Sequence, residues 1–235
     1  MTLAHEHHHR NIQGGAARAA VFGVSDGLLS NVSLILGVAG ANTSSSLVRV
    51  AGLAGLVAGA FSMAAGEYVS VKAQVELLEA ELTLEAHEIK HRPGKEFAEL
   101  SALYQSRGVS PEAAHEVATA IMADADLALE VHAREELGVN PGQLGSPVTA
   151  AGSSFVSFIV GAVIPLAPWF FTTGRAAITS SLVLAAVAAV AVGVALARFT
   201  GRPAWRAALR QLGLASAGAA VCYLVGSAVG VTSPT

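Results

Sequence analysis

The sequence predicts an all-α membrane protein with five transmembrane helices and a three- to four-helix soluble domain inserted between the second and third spans. The 235-residue chain is 53% hydrophobic and 13% charged, with a mean hydropathy of +0.55, whereas about a quarter of the residues in a soluble domain are charged. Its apolar residues fall into five runs, each long enough to cross a hydrocarbon core of about 30 Å. Its acidic residues gather in a single block between the second and third runs.

The acidic block, residues 72–146, holds 14 of the 17 Asp and Glu of the chain and only six Lys or Arg. A segment with this charge stays in water and attracts cations. It shows no strand-like alternation, so we expect helices, and Ser110 followed by Pro111 predicts an N-cap and first position. Helix breaks are predicted at Pro93–Gly94, Arg107–Gly108 with Ser110–Pro111, and Gly138 with Pro141.

The predicted organisation is a His-containing tail, two spans, the acidic domain and three further spans. The corresponding segments are residues 1–18, 19–71, 72–146 and 147–235. The first fifteen residues lack an apolar core, so we expect the first span to act as its own insertion signal. Arginines cluster in the connection between the fourth and fifth spans, which predicts a cytoplasmic N-terminus and acidic domain and an outside C-terminus. Trp169 and Trp205 lie at span ends, as interfacial anchors do.

The first span carries an acid, Asp26, with Ser30 and Ser33 on the same helical face. A carboxylate at that depth costs on the order of 2.5–3.5 kcal/mol and should face protein, water or a cation. Asp26 is therefore a candidate functional residue. The alternative is a carboxylate near the interface that caps a helix break around Gly23 and Gly27.

The second span places Gly59, Met63, Glu67 and Ser70 along one face. A Met in a span is usually packing. A thioether one turn from a carboxylate, with an Asp in the neighbouring span, also suits a first-row metal. The small-residue spacing of Gly55 and Gly59 indicates close helix packing.

The soluble block contains acidic pairs one helical turn apart, such as Glu85 with Glu88 and Glu96 with Glu99. Such pairs repel one another unless water or a bound cation separates them. The tail histidines, His5, His7, His8 and His9, belong either to a plain polar tail or to a weak metal-collecting tract.

Two Glu-x-x-His pairs, Glu88/His91 and Glu112/His115, match the spacing of di-iron helical bundles. They support an alternative function, a membrane-anchored ferroxidase or metal-storage protein. A third interpretation treats the acidic domain as a partner-binding or oligomerisation module. The single cysteine, Cys222, provides neither a disulfide framework nor a Cys-based metal site.

The segments Gly23-Val24-Ser25-Asp26-Gly27 and Ser62-Met63-Ala64-Ala65-Gly66-Glu67-Tyr68-Val69-Ser70, together with the five-span plan, resemble the vacuolar iron transporter family, including its bacterial and nodulin-21-like branches. The resemblance implies a homodimeric secondary transporter rather than an enzyme. It would move Fe(II), and also Mn(II), out of the cytosol in exchange for protons. It implies no prosthetic group and no nucleic-acid partner, and we expect the protein in the inner membrane of a bacterial cell.

The same resemblance assigns roles to particular residues. It places Asp26 and Met63 on the transport path, to which the face of the second span adds Glu67. The metal ligands that it implies in the acidic domain are Glu85, Glu88, Glu96, Glu99, His132 and Glu136. The chain departs from the plant members at two places: Gly55 stands where they have a deep Glu, and His132 with Ala133 stand where they have paired methionines.

Overall fold

The computed structural model describes residues 15–41, 44–136, 138–140 and 144–232. The tail histidines lie outside the described residues. All regular structure within the described part is helical, which confirms the all-α class. The helices are α1 (Gly15–Ala41), α2 (Ser45–His91), α3 (Pro93–Ser106), α4 (Pro111–Met122), α5 (Ala125–Glu135), α6 (Pro147–Leu166), α7 (Gly174–Thr200) and α8 (Ala204–Thr232), with a 3-10 helix (Ala167–Phe170) directly after α6.

Five of these helices are long and apolar enough to cross a membrane: α1, α2, α6 with its 3-10 extension, α7 and α8. The five predicted spans are therefore confirmed. The contacts divide the chain into two compact units. Among the described residues, the transmembrane unit comprises those up to Val69 and from Ser146 onward, and the acidic unit comprises those between Ser70 and Gly145.

Helix α1 forms the centre of the transmembrane unit and packs against α6, α7 and α8. Residue numbers at its contacts rise in the same direction along α1 and along its neighbours. Gly23 faces Ser154 and Gly27 faces Phe158 on α6, and Gly37 faces Cys222 on α8. Helices α1, α6 and α8 thus run in the same direction, as the first, third and fifth spans of an alternating chain must.

Glycines allow the backbones of these helices to touch. A Cβ atom on Gly27 would lie 2.1 Å from the carbonyl oxygen of Phe158, and one on Gly226 would lie 1.8 Å from that of Gly37. No side chain fits at such distances, so the helices associate by direct backbone approach. Asn31 adds a buried hydrogen bond, in which its Nδ2 donates to the carbonyl oxygen of Ala162 at 2.7 Å.

Three glycines of the second span, Gly52, Gly55 and Gly59, face side chains of the same unit. A Cβ atom on Gly52, Gly55 or Gly59 would meet Leu166, Leu34 or Phe158, respectively. Their predicted packing role is confirmed. The opposite side of α2 exposes large apolar residues, as a lipid-facing or protein-facing surface does, among them Leu53, Val57 and Phe61.

The third span ends in a tight turn that carries Trp169. The α-helix stops at Leu166 and tightens into the 3-10 helix, because Pro165 and Pro168 have no amide hydrogen to donate. This turn directs Trp169 inward, where only 1% of its surface stays exposed. The prediction of Trp169 as an interfacial anchor is wrong, whereas Trp205 is 61% exposed.

In the acidic unit, α3, α4 and α5 pack around an apolar cluster that includes Ile89, Leu100 and Ala128. Ser110 caps α4 as predicted, because its Oγ accepts a hydrogen bond from the amide of Ala113 at 3.3 Å. Asp124 caps α5 in the same way, since its side chain accepts hydrogen bonds from the amides of Asp126 and Leu127. The caps fix where α4 and α5 begin.

Candidate metal centre

Three predicted ligand residues meet in the acidic unit. Glu85 comes from α2, His132 from α5, and Glu136 follows the last residue of α5. One ligand atom from each lies within 4.8 Å of the others. The Nδ1 atom of His132 is 3.1 Å from Oε1 of Glu85 and 3.3 Å from Oε1 of Glu136. We call these three residues the carboxylate–imidazole cluster.

A fourth predicted ligand, Glu96, lies beside the cluster. It belongs to the first turn of α3, and its Oε2 is 3.8 Å from Nδ1 of His132. Its side chain is 2% exposed. Its other oxygen, Oε1, is 3.5 Å from Nζ of Lys95. Glu96 therefore adds a buried carboxylate next to His132 while it is paired with a lysine on its other side.

The imidazole of His132 is fully buried, and neither of its ring nitrogens has a hydrogen-bond partner among the described residues. The oxygens of Glu85 and Glu136 lie within ion-pair distance of Nδ1 but form no hydrogen bond with it. An unsatisfied buried polar group costs about 1–3 kcal/mol. Side chains that converge at this cost, without bonding to one another, are typical of a site arranged for a ligand.

The surroundings of Glu85 in the cluster shift its pKa. Burial raises the pKa of Glu85 above its usual value, and the negative charges of Glu136, Glu96 and Glu99 raise it further. His132 opposes this shift through its attraction for the carboxylate. The Glu85 carboxylate therefore binds a proton more readily than an exposed glutamate does.

The donor set is two or three carboxylates and one imidazole. Such oxygen and nitrogen donors suit first-row divalent ions such as Mn(II), Fe(II) and Zn(II). Among the described residues, this is the only group of three or more His, Cys, Asp or Glu side chains placed to hold a metal.

The remaining predicted ligands of the acidic unit are held by basic neighbours. Glu88 pairs with Arg92 at 3.2 Å, and Glu99 pairs with Lys95 at 3.1 Å. The hydrogen bond to Glu99 raises the pKa of Lys95. The sequence analysis missed both basic residues, although their spacing of four from an acid indicates such pairs. A ligand role for Glu88 and Glu99 stays a prediction.

The predicted transport-path residues lie in α1 and α2. Asp26 is half-buried and accepts a hydrogen bond from the Oγ of Ser30 at 3.1 Å. Met63 packs against the core of the transmembrane unit, and Glu67 is half-buried. The roles of these three residues stay predictions.

The Glu-x-x-His pairs do not assemble within the described residues. Glu88 is paired with Arg92, and His91 is stacked on another histidine of the same helix. On α4, His115 contacts the ring of Phe97, and Glu112 is exposed. These contacts do not bring the two pairs around a common centre, as a di-iron site requires.

Five apolar helices, each long enough to cross a membrane, define the class of this protein as an integral membrane protein. Comparison with known proteins identifies its family. The chain belongs to the VIT family, whose sequence model matches residues 17–227.

Several curated relatives share most of the chain. Vacuolar iron transporter 2 of Oryza sativa subsp. japonica is 31% identical over 229 residues, which cover 97% of this chain and 93% of the relative. Vacuolar iron transporter 1 of Arabidopsis thaliana is 31% identical over 225 residues, covering 94% and 90%. The vacuolar iron transporter of Acanthamoeba castellanii is 42% identical over 160 residues, covering 67% and 58%.

Proposed function

We propose that this protein is a secondary active transporter that carries Fe(II), and also Mn(II), out of the cytosol in exchange for protons. The carboxylate–imidazole cluster is the observation that carries the proposal, because two carboxylates converge on the fully buried imidazole of His132, whose ring nitrogens have no hydrogen-bond partner among the described residues. The names of the relatives, which describe iron transporters, support iron as the cargo.

The acidic unit would act first, by gathering the ion. Its excess of negative charge raises the local concentration of cations. We place this unit and the N-terminus on the cytoplasmic side, since the arginine-rich connection between α7 and α8 also belongs on that side. Glu85, His132 and Glu136 would hold the ion, with Glu96 supplying further negative charge.

Proton exchange follows from the chemistry of the ligands. A metal binds a carboxylate only in its deprotonated form, so binding releases any proton the group holds. The raised pKa of Glu85 supports this exchange, because it favours the protonated carboxylate when no metal is bound. We propose that Asp26, Met63 and Glu67 form the path through the transmembrane unit.

We also propose that the protein acts as a homodimer. Three glycines of α2 are used within the unit, so a second copy would dock on the exposed apolar side of α2 around Leu53, Val57 and Phe61. We propose the inner membrane of a bacterial cell as its location on the sequence resemblance alone, since the relatives reported above come from plants and an amoeba.

Replacement of Asp26 tests the proposal. Purified wild-type protein and Asp26→Ala are reconstituted into proteoliposomes, and entry of Fe(II) is followed with an enclosed fluorescent chelator. We expect Asp26→Ala to abolish Fe(II) entry and to keep wild-type Mn(II) affinity at the carboxylate–imidazole cluster. Glu79→Gln, which removes an exposed acid of α2, is the control and should transport normally. Undiminished transport by Asp26→Ala would remove this residue from the path.

A further inference from the structure

Two histidines near the end of α2 lie side by side on the surface of the acidic unit. They belong to the segment His87-Glu88-Ile89-Lys90-His91, and both are exposed. Their rings are stacked, with centroids 4.0 Å apart and planes inclined by 23°. Because they are four residues apart on one helix, the two imidazoles share a face.

A backbone hydrogen bond fixes the tautomer of one ring. The Nδ1 atom of His91 lies 2.8 Å from the carbonyl oxygen of His87. A carbonyl oxygen only accepts, so the bond requires the proton on Nδ1, and in the neutral ring Nε2 then carries a lone pair. Metal-binding histidines are oriented in this way, with one ring nitrogen bonded to a carbonyl and the other directed to the metal.

The spacing of the rings suits a shared ion. Bonds from nitrogen to a first-row ion such as Zn²⁺ are about 2.0–2.1 Å long, so two nitrogens bound to one ion lie no more than about 4 Å apart. The ring centroids are 4.0 Å apart, so the two imidazoles are within reach of one ion. Because an imidazole binds a metal in the plane of its ring, the stacked rings must rotate about their side-chain bonds before both lone pairs meet that ion. The H-E-x-x-H spacing of the segment is also the one by which a helix presents two imidazoles to Zn²⁺.

The pair is separate from the carboxylate–imidazole cluster. Two residues along an α-helix correspond to a rotation of about 200°, so His87 lies almost opposite Glu85 on α2. Glu85 is directed to His132, and Glu88 is paired with Arg92. Neither carboxylate is therefore placed as a ligand for an ion bound by the two imidazoles.

We propose that His87 and His91 form a second metal site, which takes late first-row ions such as Cu(II), Ni(II) and Zn(II). Imidazole donors suit these ions, and carboxylate-rich sites suit Mn(II). Affinity for nitrogen donors is weakest for Mn(II) and Fe(II) and strongest for Cu(II). The two sites of the acidic unit thus differ in the ions they prefer and fill independently. This inference does not depend on transport.

Copper binding by the full-length protein tests the site. The four tail histidines are first replaced by alanine, so that they cannot bind the added Cu(II). His87→Ala, His91→Ala and His115→Ala are then compared in detergent. Each variant is titrated with Cu(II), and binding is measured by calorimetry and by the electron paramagnetic resonance of the bound Cu(II). His115 is the matched control, an exposed histidine of α4 whose ring contacts Phe97.

We expect His87→Ala and His91→Ala each to weaken one Cu(II) equivalent by at least about tenfold, and to remove its nitrogen hyperfine signal, with no change in His115→Ala. Mn(II) affinity should stay at the wild-type value in all three variants. Equal Cu(II) binding in all three would overturn the proposal. Loss of Mn(II) binding in His91→Ala would also overturn it, because the pair would then belong to the carboxylate–imidazole cluster. Circular dichroism, with His87→Gln as a milder variant, verifies folding.

Discussion

Replacing Glu85 by Gln keeps the shape of the side chain and removes its charge from the carboxylate–imidazole cluster. Loss of one member of a buried charge pair costs about 2–5 kcal/mol of binding free energy. Each 1.4 kcal/mol corresponds to about a tenfold change in the dissociation constant. We therefore expect Mn(II) affinity to fall by at least about 30-fold. At a Mn(II) concentration of about 100 times the wild-type Kd, binding stabilises the wild-type protein by about 2.7 kcal/mol and the variant by no more than about 0.9 kcal/mol.

The same substitution should stabilise the metal-free protein at neutral pH. Because the pKa of Glu85 is raised in the folded state, the folded protein binds more protons than the unfolded chain between the unfolded and folded pKa values. The Glu85 contribution to stability is therefore lost as the pH rises through that interval. Glu85→Gln should melt above the wild type at pH 7, and the difference should shrink as the pH falls toward 4.5, the ordinary value for this group.

Both effects are measured on one set of samples. Calorimetry gives the Mn(II) affinity, and thermal melting with and without Mn(II) gives the stability at several pH values. Glu79→Gln removes the same charge from an exposed position of α2 and should change neither quantity. Wild-type Mn(II) affinity in Glu85→Gln, or a lower melting temperature without metal at pH 7, would refute the assignment of Glu85 as a half-buried metal ligand.

Two further predictions concern the fold. Gly226→Ala would place a Cβ atom 1.8 Å from the carbonyl oxygen of Gly37, so we expect a loss of about 1–3 kcal/mol or more, seen as a lower melting temperature in detergent. Gly213→Ala on the same helix meets no atom within 4 Å among the described residues and should be tolerated; equal effects would contradict the backbone packing. Ser110→Ala removes the cap bond to Ala113 and should cost about 1 kcal/mol, and unchanged stability would mean the cap contributes nothing.

Much of the fold follows from local patterns that a sequence displays directly. Apolar runs of sufficient length gave the five spans, and Ser110 before Pro111 gave the start of α4. The inward orientation of Trp169 could not be predicted in the same way. It depends on how a 3-10 turn after Pro165 packs against the rest of the transmembrane unit, and position at a span end carries no such information.

The residues of the candidate site were likewise predictable from the sequence, but their spatial arrangement was not. Residue types and the family resemblance named Glu85, His132 and Glu136, but their convergence depends on the packing of α2 against α5. The complete burial of His132 is equally a tertiary property. The pairing of Glu88 with Arg92, in contrast, was visible in the spacing of the sequence and was overlooked.

The most direct test of the proposed function is a flux measurement with the wild-type protein alone. Proteoliposomes are loaded with a fluorescent chelator and a pH indicator, and Fe(II) is added under anaerobic conditions, with protein-free liposomes as the control. We expect Fe(II) to enter while protons leave, and entry to accelerate when the lumen is more acidic than the medium. Fe(II) that binds the protein but never reaches the lumen, or oxygen consumption on aerobic addition without any flux, would contradict a transporter.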